Sequence, residues 1–200
     1  MYIHKDAYYK KAKEEGYKSR AAYKLIELNK KFNIIKKGNR VLDCGAAPGG
    51  WSQVALSLVG ANGFVLACDL EKIEGIKAPN FTFIHGNMLE EQIIKELTAF
   101  SPEGFNVVLS DMAPKTSGIK VKDHAESLEL ATVALDTARK TLKEGGSFLV
   151  KLFDGEDRPA YVKAVEKYFR KVKMLRPDAT RKASFEVYIF ACGFLGQKAL

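Results

Sequence analysis

Val41-Leu-Asp-Cys-Gly-Ala-Ala-Pro-Gly-Gly-Trp51 decides the fold of this chain. A short apolar run ends in an acid, Asp43, and small residues follow up to Trp51. Apolar periodicity resumes at Val54, Ala55 and Leu58, so a helix begins near Trp51. Strand, small-residue turn and helix form the unit that binds nucleotides at the carboxyl edge of a parallel sheet. Gly45, Gly49 and Gly50 admit backbone angles and close approaches that a Cβ would block. The Gly-x-x-x-Gly-Gly spacing is not the dinucleotide fingerprint, and no Gly-Lys-Ser/Thr ending marks a Walker loop. Pro48 also removes an N–H where a phosphate cradle needs one. These features favour a nucleoside-type ligand without phosphate, such as S-adenosylmethionine.

Working outward, the chain alternates strand and helix. The patterns predict strands at Arg40–Cys44, Gly63–Asp69, Phe81–His85, Phe105–Ser110, Ser147–Leu152, Val172–Leu175 and Phe185–Cys192. Helices are expected near Trp51–Leu58, Glu90–Thr98, His124–Lys143 and Arg158–Phe169. Before them, one helix runs from Asp6 to Glu15 and stops at Gly16. A second, N-capped by Ser19, carries Ala22, Leu25, Ile26 and Phe32. Met112–Lys122 reads as a loop. Alternation with mostly continuous apolar strands indicates an α/β domain whose parallel sheet is covered on both faces. A single domain over 1–200 is expected, with a basic helical extension over 1–39 and a core over 40–200.

Of 200 residues, 46% are hydrophobic and 28% charged, ordinary values for a soluble globular protein. No run is long enough for a membrane span, and the first residues lack a signal-peptide core, which points to the cytoplasm. Cys44, Cys68 and Cys192 are scattered and read as small core residues in a reducing compartment, with no metal site. The net charge of +8 comes from 32 basic against 24 acidic residues. Residues 1–40 hold 12 basic residues and 4 acids, which is the whole excess, and the remainder balances. A basic lobe on a neutral body suggests a docked polyanion, with Lys10, Lys11, Lys13, Lys18 and Arg20 as candidate RNA contacts. Tyr2, Tyr8, Tyr9, Tyr17 and Tyr23 are interleaved and could stack on unpaired bases. A Lys-rich solvated helix would give the same composition.

Three strand ends carry polar candidates. Asp69 lies where such folds place an acid on ribose hydroxyls, and that position after the glycine turn favours this reading over an ordinary turn cap. Asn87 follows the third strand and could read an adenine edge, or serve only the turn beside Gly86. Asp111 ends the fourth strand before Pro114. Lys151 and Glu186 interrupt apolar strands, where a charge is costly to bury unless paired. Strand alternation could turn Glu186 to solvent, an escape closed to Lys151 between strand neighbours.

Together these segments resemble the FtsJ/RrmJ (RlmE) family of ribosomal RNA 2′-O-ribose methyltransferases over essentially the full chain. The resemblance rests on Ser19-Arg-Ala-Ala-Tyr-Lys-Leu25, Asp43–Gln53, Ala67-Cys-Asp-Leu70, Ser110-Asp-Met-Ala-Pro114, Leu149-Val-Lys-Leu-Phe153 and Ser184-Phe-Glu-Val-Tyr188. It implies a Rossmann-like class I S-adenosylmethionine-dependent methyltransferase fold, with a seven-stranded, mostly parallel sheet and helices on both faces. It implies a Lys24–Asp111–Lys151–Glu186 catalytic set, and cofactor contacts at Gly49, Trp51, Asp69 and Asp111. Asn87 departs from the Asp that bacterial members usually carry, which changes its donor and acceptor options. Lys24 is singled out by the resemblance alone. The implied reaction is methylation of the 2′-O of a uridine in large-subunit (23S-type) ribosomal RNA on the assembled subunit. The expected protein is a cytoplasmic monomer with ribosomal RNA as partner and no metal or membrane. A tRNA or mRNA-cap enzyme of the same chemistry, or a non-catalytic RNA-binding module, are the alternatives. Lys151 would be the general base if neutral, or would steer the hydroxyl and stabilise oxyanion charge if cationic.

Overall fold

The computed structural model describes residues 7–181 and 183–196. Tyr2 and the expected helix start at Asp6 lie outside the described residues. The elements are α1 (Ala7–Glu14), α2 (Ala22–Phe32), β1 (Arg40–Cys44), α3 (Gly50–Val59), β2 (Phe64–Asp69), β3 (Phe81–His85) and α4 (Glu91–Phe100). They continue with β4 (Phe105–Ser110), α5 (Lys120–Thr141), β5 (Leu142–Phe153), α6 (Arg158–Glu166), β6 (Phe169–Leu175) and β7 (Glu186–Phe194).

Seven strands pair in the order β3-β2-β1-β4-β5-β7-β6. All neighbours are parallel except β7, which runs antiparallel to both β5 and β6. The strand order reverses beside β1, so the ends of β1 and β4 flank the crevice where ligands bind in such sheets. Helices cover both faces, as expected. One face packs Leu42, Val108 and Val150 under α4, α5 and α6. The other packs Val41, Leu109, Leu149, Tyr188 and Phe190 under α2 and α3. Leu25 and Leu28 of α2 are fully buried there, each contributing roughly 1.5–3 kcal/mol. The stretch read as a basic extension thus contributes a helix to this core.

Side chains two apart on a strand share a face. Asp43 therefore points the same way as Val41, Asp111 as Leu109, and Lys151 as Leu149. Glu186 shares the face of Tyr188 and Phe190. Because β7 is antiparallel, its first residues lie at the edge where β5 ends, with Lys151 opposite Tyr188 and Phe153 opposite Glu186. Simple parity thus collects five polar side chains at one edge of one face, beneath α2.

Some boundaries differ from expectation. Ser19 does not cap α2. The N-cap is Ala21, which makes no side-chain cap bond, and the Ser19 hydroxyl lies instead against Gly50. α5 starts at Lys120, because Asp123 accepts the N–H groups of Ser117 and Gly118 and the Ser117 hydroxyl, tying the preceding loop to the first helical turn. α6 stops at Glu166 and β6 starts at Phe169, whose ring packs on Phe148 and Phe194. An aromatic at that position suits either period, so the sequence placed the change of element too late. α1 ends as expected at Gly16, with φ +77° and a Tyr17 N–H bond to the Ala12 carbonyl.

Candidate active site

The turn after β1 has little left to offer a phosphate. Gly45 and Ala46 donate their N–H groups to the Cys68 carbonyl, Ala47 to Asp69 Oδ2 at 2.8 Å, and Gly49 to the Ala46 carbonyl. Pro48 has none. The glycines also make room for the protein itself. A Cβ on Gly45, where φ is +67°, would meet Met112 Cγ at 2.0 Å, and one on Gly50 would meet Ser19 Oγ at 2.3 Å. The turn is therefore a junction where the loop after β4 and the segment before α2 both press against β1.

Beside it opens a cavity of about 540 Å³, within the size range of small-ligand sites. Gly45, Ala47, Asp69, Asn87, Asp111 and Met112 line it, with Leu70 and Leu89 exposed in its walls. Asp69 is fixed at both oxygens, Oδ2 by Ala47 N–H and Oδ1 by Glu71 N–H at 2.7 Å. Each oxygen keeps a further lone pair for a ligand hydroxyl. Asn87 Oδ1 accepts the Leu89 N–H at 3.0 Å, so its NH₂ is the group left for the cavity. Of the expected contacts, Gly49 and Trp51 do not line this cavity. Gly49 caps α3 and lines neither this cavity nor a smaller one beneath it. Trp51 is buried, donates Nε1–H to the Ala21 carbonyl at 2.9 Å and stacks on Tyr188.

The smaller cavity, about 40 Å³, is bounded by Ser19, Asp43, Gly45, Trp51 and Asp111. Asp43 is completely buried. Its Oδ2 accepts the Ser52 hydroxyl at 2.7 Å, while Oδ1 has no hydrogen-bond partner. Burial, with Asp111 and Asp69 nearby, pushes its carboxyl up to about 7. An unpartnered carboxylate oxygen among three acids suits a cationic ligand group, and the fixed Asp69 oxygens suit a cis-diol. These residues fit S-adenosylmethionine. The raised value also sets a direction. Between about pH 4 and 7 the folded Asp43 holds a proton that the unfolded chain has released, so ligand-free stability falls as pH rises through that window. Asp43→Asn removes this loss. Its stability advantage over wild type, measured by denaturant unfolding, grows from pH 4 to 7 by a few kcal/mol at most and then levels off. An advantage that does not change with pH would show that Asp43 is ionised throughout.

The remaining polar side chains form a second group. Lys151 Nζ sits 3.1 Å from Asp111 Oδ1 and also donates to the Asp111 carbonyl oxygen. The Tyr188 hydroxyl donates to Asp111 Oδ1 at 2.7 Å. Lys24 Nζ pairs with Glu186 Oε2 at 2.6 Å and lies 5.6 Å from the centre of the Tyr188 ring. The structure therefore brings the four expected residues together as two ion pairs joined by Tyr188. Burial and then the Asp111 charge hold the Tyr188 phenol far above its ordinary value, so it remains a donor. Tyr188 and Asp43 are additions to the sequence reading. Tyr188 is two residues from Glu186 on the same strand face, and that spacing is the signal that could have found it.

The basic lobe divides. Lys10, Lys11, Lys13 and Lys18 are exposed and Arg20 is half-buried. The tyrosines pack mainly on one another. Tyr8 and Tyr17 contact Tyr23 at 5.3 and 5.7 Å, and the buried Tyr23 donates its hydroxyl to Glu15. Tyr9 is the exposed one among the described tyrosines of the lobe. Cys44 and Cys68 are buried free thiols, as expected, and burial pushes Cys68 up to about 12. Among the described residues, no group of three His, Cys, Asp or Glu side chains is placed to hold a metal ion. None of the described helices is long and apolar enough to cross a membrane.

Residues 17–194 match the FtsJ-like methyltransferase family. A protein named Ribosomal RNA large subunit methyltransferase E from Methanothermobacter thermautotrophicus is 46% identical over 198 residues, covering 97% of this chain and 92% of the relative. The protein of that name from Coxiella burnetii is 46% identical over 197 residues, covering 96% and 92%. Its namesake from Methanococcus maripaludis strain C7 is 46% identical over 193 residues, covering 96% and 75%. The crystal structure of a ribosomal RNA methyltransferase from Plasmodium falciparum matches with a TM-score of 0.80 at 30% identity, over 90% of this chain and all of that one.

Proposed function

We propose a function from one premise, that the chain belongs to the FtsJ-like methyltransferase family. Its sheet is the Rossmann-like class I methyltransferase sheet. The reaction is S-adenosylmethionine-dependent methylation of the 2′-O of a uridine ribose in large-subunit ribosomal RNA, on the assembled subunit. The observation that carries this reading is the environment of Lys151 Nζ. Two of its hydrogens go to the carboxylate and carbonyl of Asp111. One tetrahedral position is left, and in the neutral amine it holds the lone pair.

A 2′-hydroxyl is a weak nucleophile that needs a base within hydrogen-bond reach. Lys151 takes its proton through that remaining position. Asp111 aims the amine and is itself held by the Tyr188 hydroxyl. Lys24, with its charge offset by Glu186, positions the target ribose. Asp69 would hold the ligand's ribose diol and Asn87 its adenine edge. Asp43 and Asp111 would face its positive charge, and the buried Trp51 would keep water from the floor. S-adenosylmethionine, when bound, supplies an activated methyl group. The exposed lysines 10, 11, 13 and 18 attract the RNA.

The test is tritium transfer from labelled S-adenosylmethionine to assembled large subunits, free ribosomal RNA and tRNA, with nucleoside analysis of the product. Label in 2′-O-methyluridine, strongest on large subunits, is the expected result. Label on a base, or on tRNA alone, would overturn the assignment.

A further inference from the structure

β5 outruns its neighbour at the edge that carries the site. Its parallel pairing with β4 ends at Ser110 opposite Val150, while its antiparallel pairing with β7 continues to Phe153 opposite Glu186. Lys151, Leu152 and Phe153 therefore overhang β4, with a strand partner on one side only. Three buried polar residues, Asp123, His124 and Ser127, lie near the start of α5. Helical spacing puts His124 and Ser127 on one face, and both bond to the backbone of Phe153. The Ser127 hydroxyl accepts the Phe153 N–H at 3.0 Å, and His124 Nδ1 lies 2.8 Å from the Phe153 carbonyl oxygen. A carbonyl only accepts, so Nδ1 carries the hydrogen, and Nε2 accepts the Asp157 N–H at 3.3 Å. The loop after β5 lies directly on the imidazole, since a Cβ on Gly155 would meet His124 Cγ at 2.4 Å.

We infer that His124 and Ser127 are positioning residues, which fix where Lys151 stands against Asp111 by holding the backbone of Phe153. The inference rests on the proposed 2′-O transfer. A backbone group left unpaired in the interior costs as much as a lost hydrogen bond. Where β4 has ended, α5 supplies the partners for both groups of Phe153, and so fixes the overhang on its open side. Lys151 lies two residues back on the same strand, with Nζ 3.1 Å from Asp111 Oδ1. Asp111 begins the loop that Asp123 ties to α5 through the N–H groups of Ser117 and Gly118. The start of α5 thus grips both members of the Lys151–Asp111 pair, one through each neighbouring segment. Phe153 also stands opposite Glu186 in β7, so the same anchor sets the register that brings Glu186 to Lys24. His124 and Ser127 line neither the ligand cavity nor the smaller one beneath it. Their loss therefore acts on the chemical step, where a small misplacement of the reacting group is costly.

The test compares wild type with His124→Ala, His124→Asn, His124→Gln and Ser127→Ala in steady-state methylation of large subunits lacking the modification, with calorimetric titration of cofactor. Thr137→Val is the control, because Thr137 is buried on the same helix and its hydroxyl bonds to the Val133 carbonyl of that helix. Asn places an NH₂ near the position of Nδ1 and keeps the bond to the Phe153 carbonyl. Gln reaches the Asp157 N–H as Nε2 does and gives up the Phe153 bond. His124→Ala and His124→Gln are expected to lower kcat by about tenfold or more, with His124→Asn within about threefold of wild type and Ser127→Ala between them. The KM for large subunits and the cofactor Kd should stay within about threefold throughout, since neither residue touches a ligand site. Wild-type kcat in both His124→Ala and Ser127→Ala would overturn the inference. So would an Asn variant no more active than Gln, or an equal loss in Thr137→Val. The contrast of Asn with Gln decides the matter even where the Ala variant does not fold. Absence of 2′-O transfer by wild type would overturn the proposed function instead. Amide exchange at Phe153 would then still decide the anchor, faster by about tenfold or more in Ser127→Ala if α5 holds this backbone and unchanged if it does not.

Discussion

Lys151→Ala lowers single-turnover methyl transfer by about 10³-fold or more and leaves S-adenosylmethionine binding within about threefold of wild type. The split follows from the geometry. Lys151 bonds to Asp111 and lines neither the ligand cavity nor the smaller one below it. Once it is removed, the Tyr188 hydroxyl still holds Asp111, so the ligand-facing carboxylate stays in place. Lys151→Arg separates the two possible roles of the amine. A guanidinium keeps the positive charge but cannot accept a proton at neutral pH. If Lys151 removes the proton, the Arg variant is as inactive as Ala. Substantial turnover in the Arg variant would assign the residue to charge stabilisation, and near-wild-type turnover in the Ala variant would remove it from the chemistry. Calorimetric titration of cofactor supplies the binding arm.

Asp69→Ala gives the opposite pattern. Its cofactor Kd rises by about 10²-fold or more, and transfer at saturating cofactor recovers to within about tenfold of wild type. Each hydrogen bond to a charged group contributes about 1.5–3 kcal/mol, and a ribose diol makes two. Asp69 also holds the Ala47 N–H, so its loss loosens the turn after β1. Asp69→Asn falls between the two. It keeps the shape, but its NH₂ must face one of the two backbone N–H groups that now donate to the carboxylate. A Kd within threefold of wild type in Asp69→Ala would place the ribose elsewhere.

Local pattern carried much of the fold. β1, β3 and β4 match their expected ends residue for residue, because each is a short, mostly apolar run set between turns. Contacts between distant segments were not legible. Gly50 reads as freedom for a ligand, yet the atom it accommodates belongs to Ser19. The tyrosines of the basic lobe read as stacking platforms, and three of them instead pack together around Tyr23. Tyr188 looks like an ordinary strand aromatic until its register opposite Lys151 is known. Asp43 looks like a strand-end acid until the third dimension shows one oxygen without a partner. Lys24 is one of twelve basic residues in the first forty, and its burial together with its ion pair to Glu186 distinguishes it.

The place of β7 has a consequence for biosynthesis. Among the described strands it is the last to be synthesised, yet it lies inside the sheet, between β5 and β6. A nascent chain that has reached residue 185 already contains the turn after β1, Asp69, Asp111 and Lys151. It still exposes two unpaired strand edges, which invite pairing with other chains. Glu186 and Tyr188 then arrive together, and the Lys24–Glu186 bond closes a separation of 162 residues. Such non-local closure is slow relative to helix formation. Products that stop before Glu186 therefore lack the Lys24–Glu186 and Tyr188–Asp111 bonds.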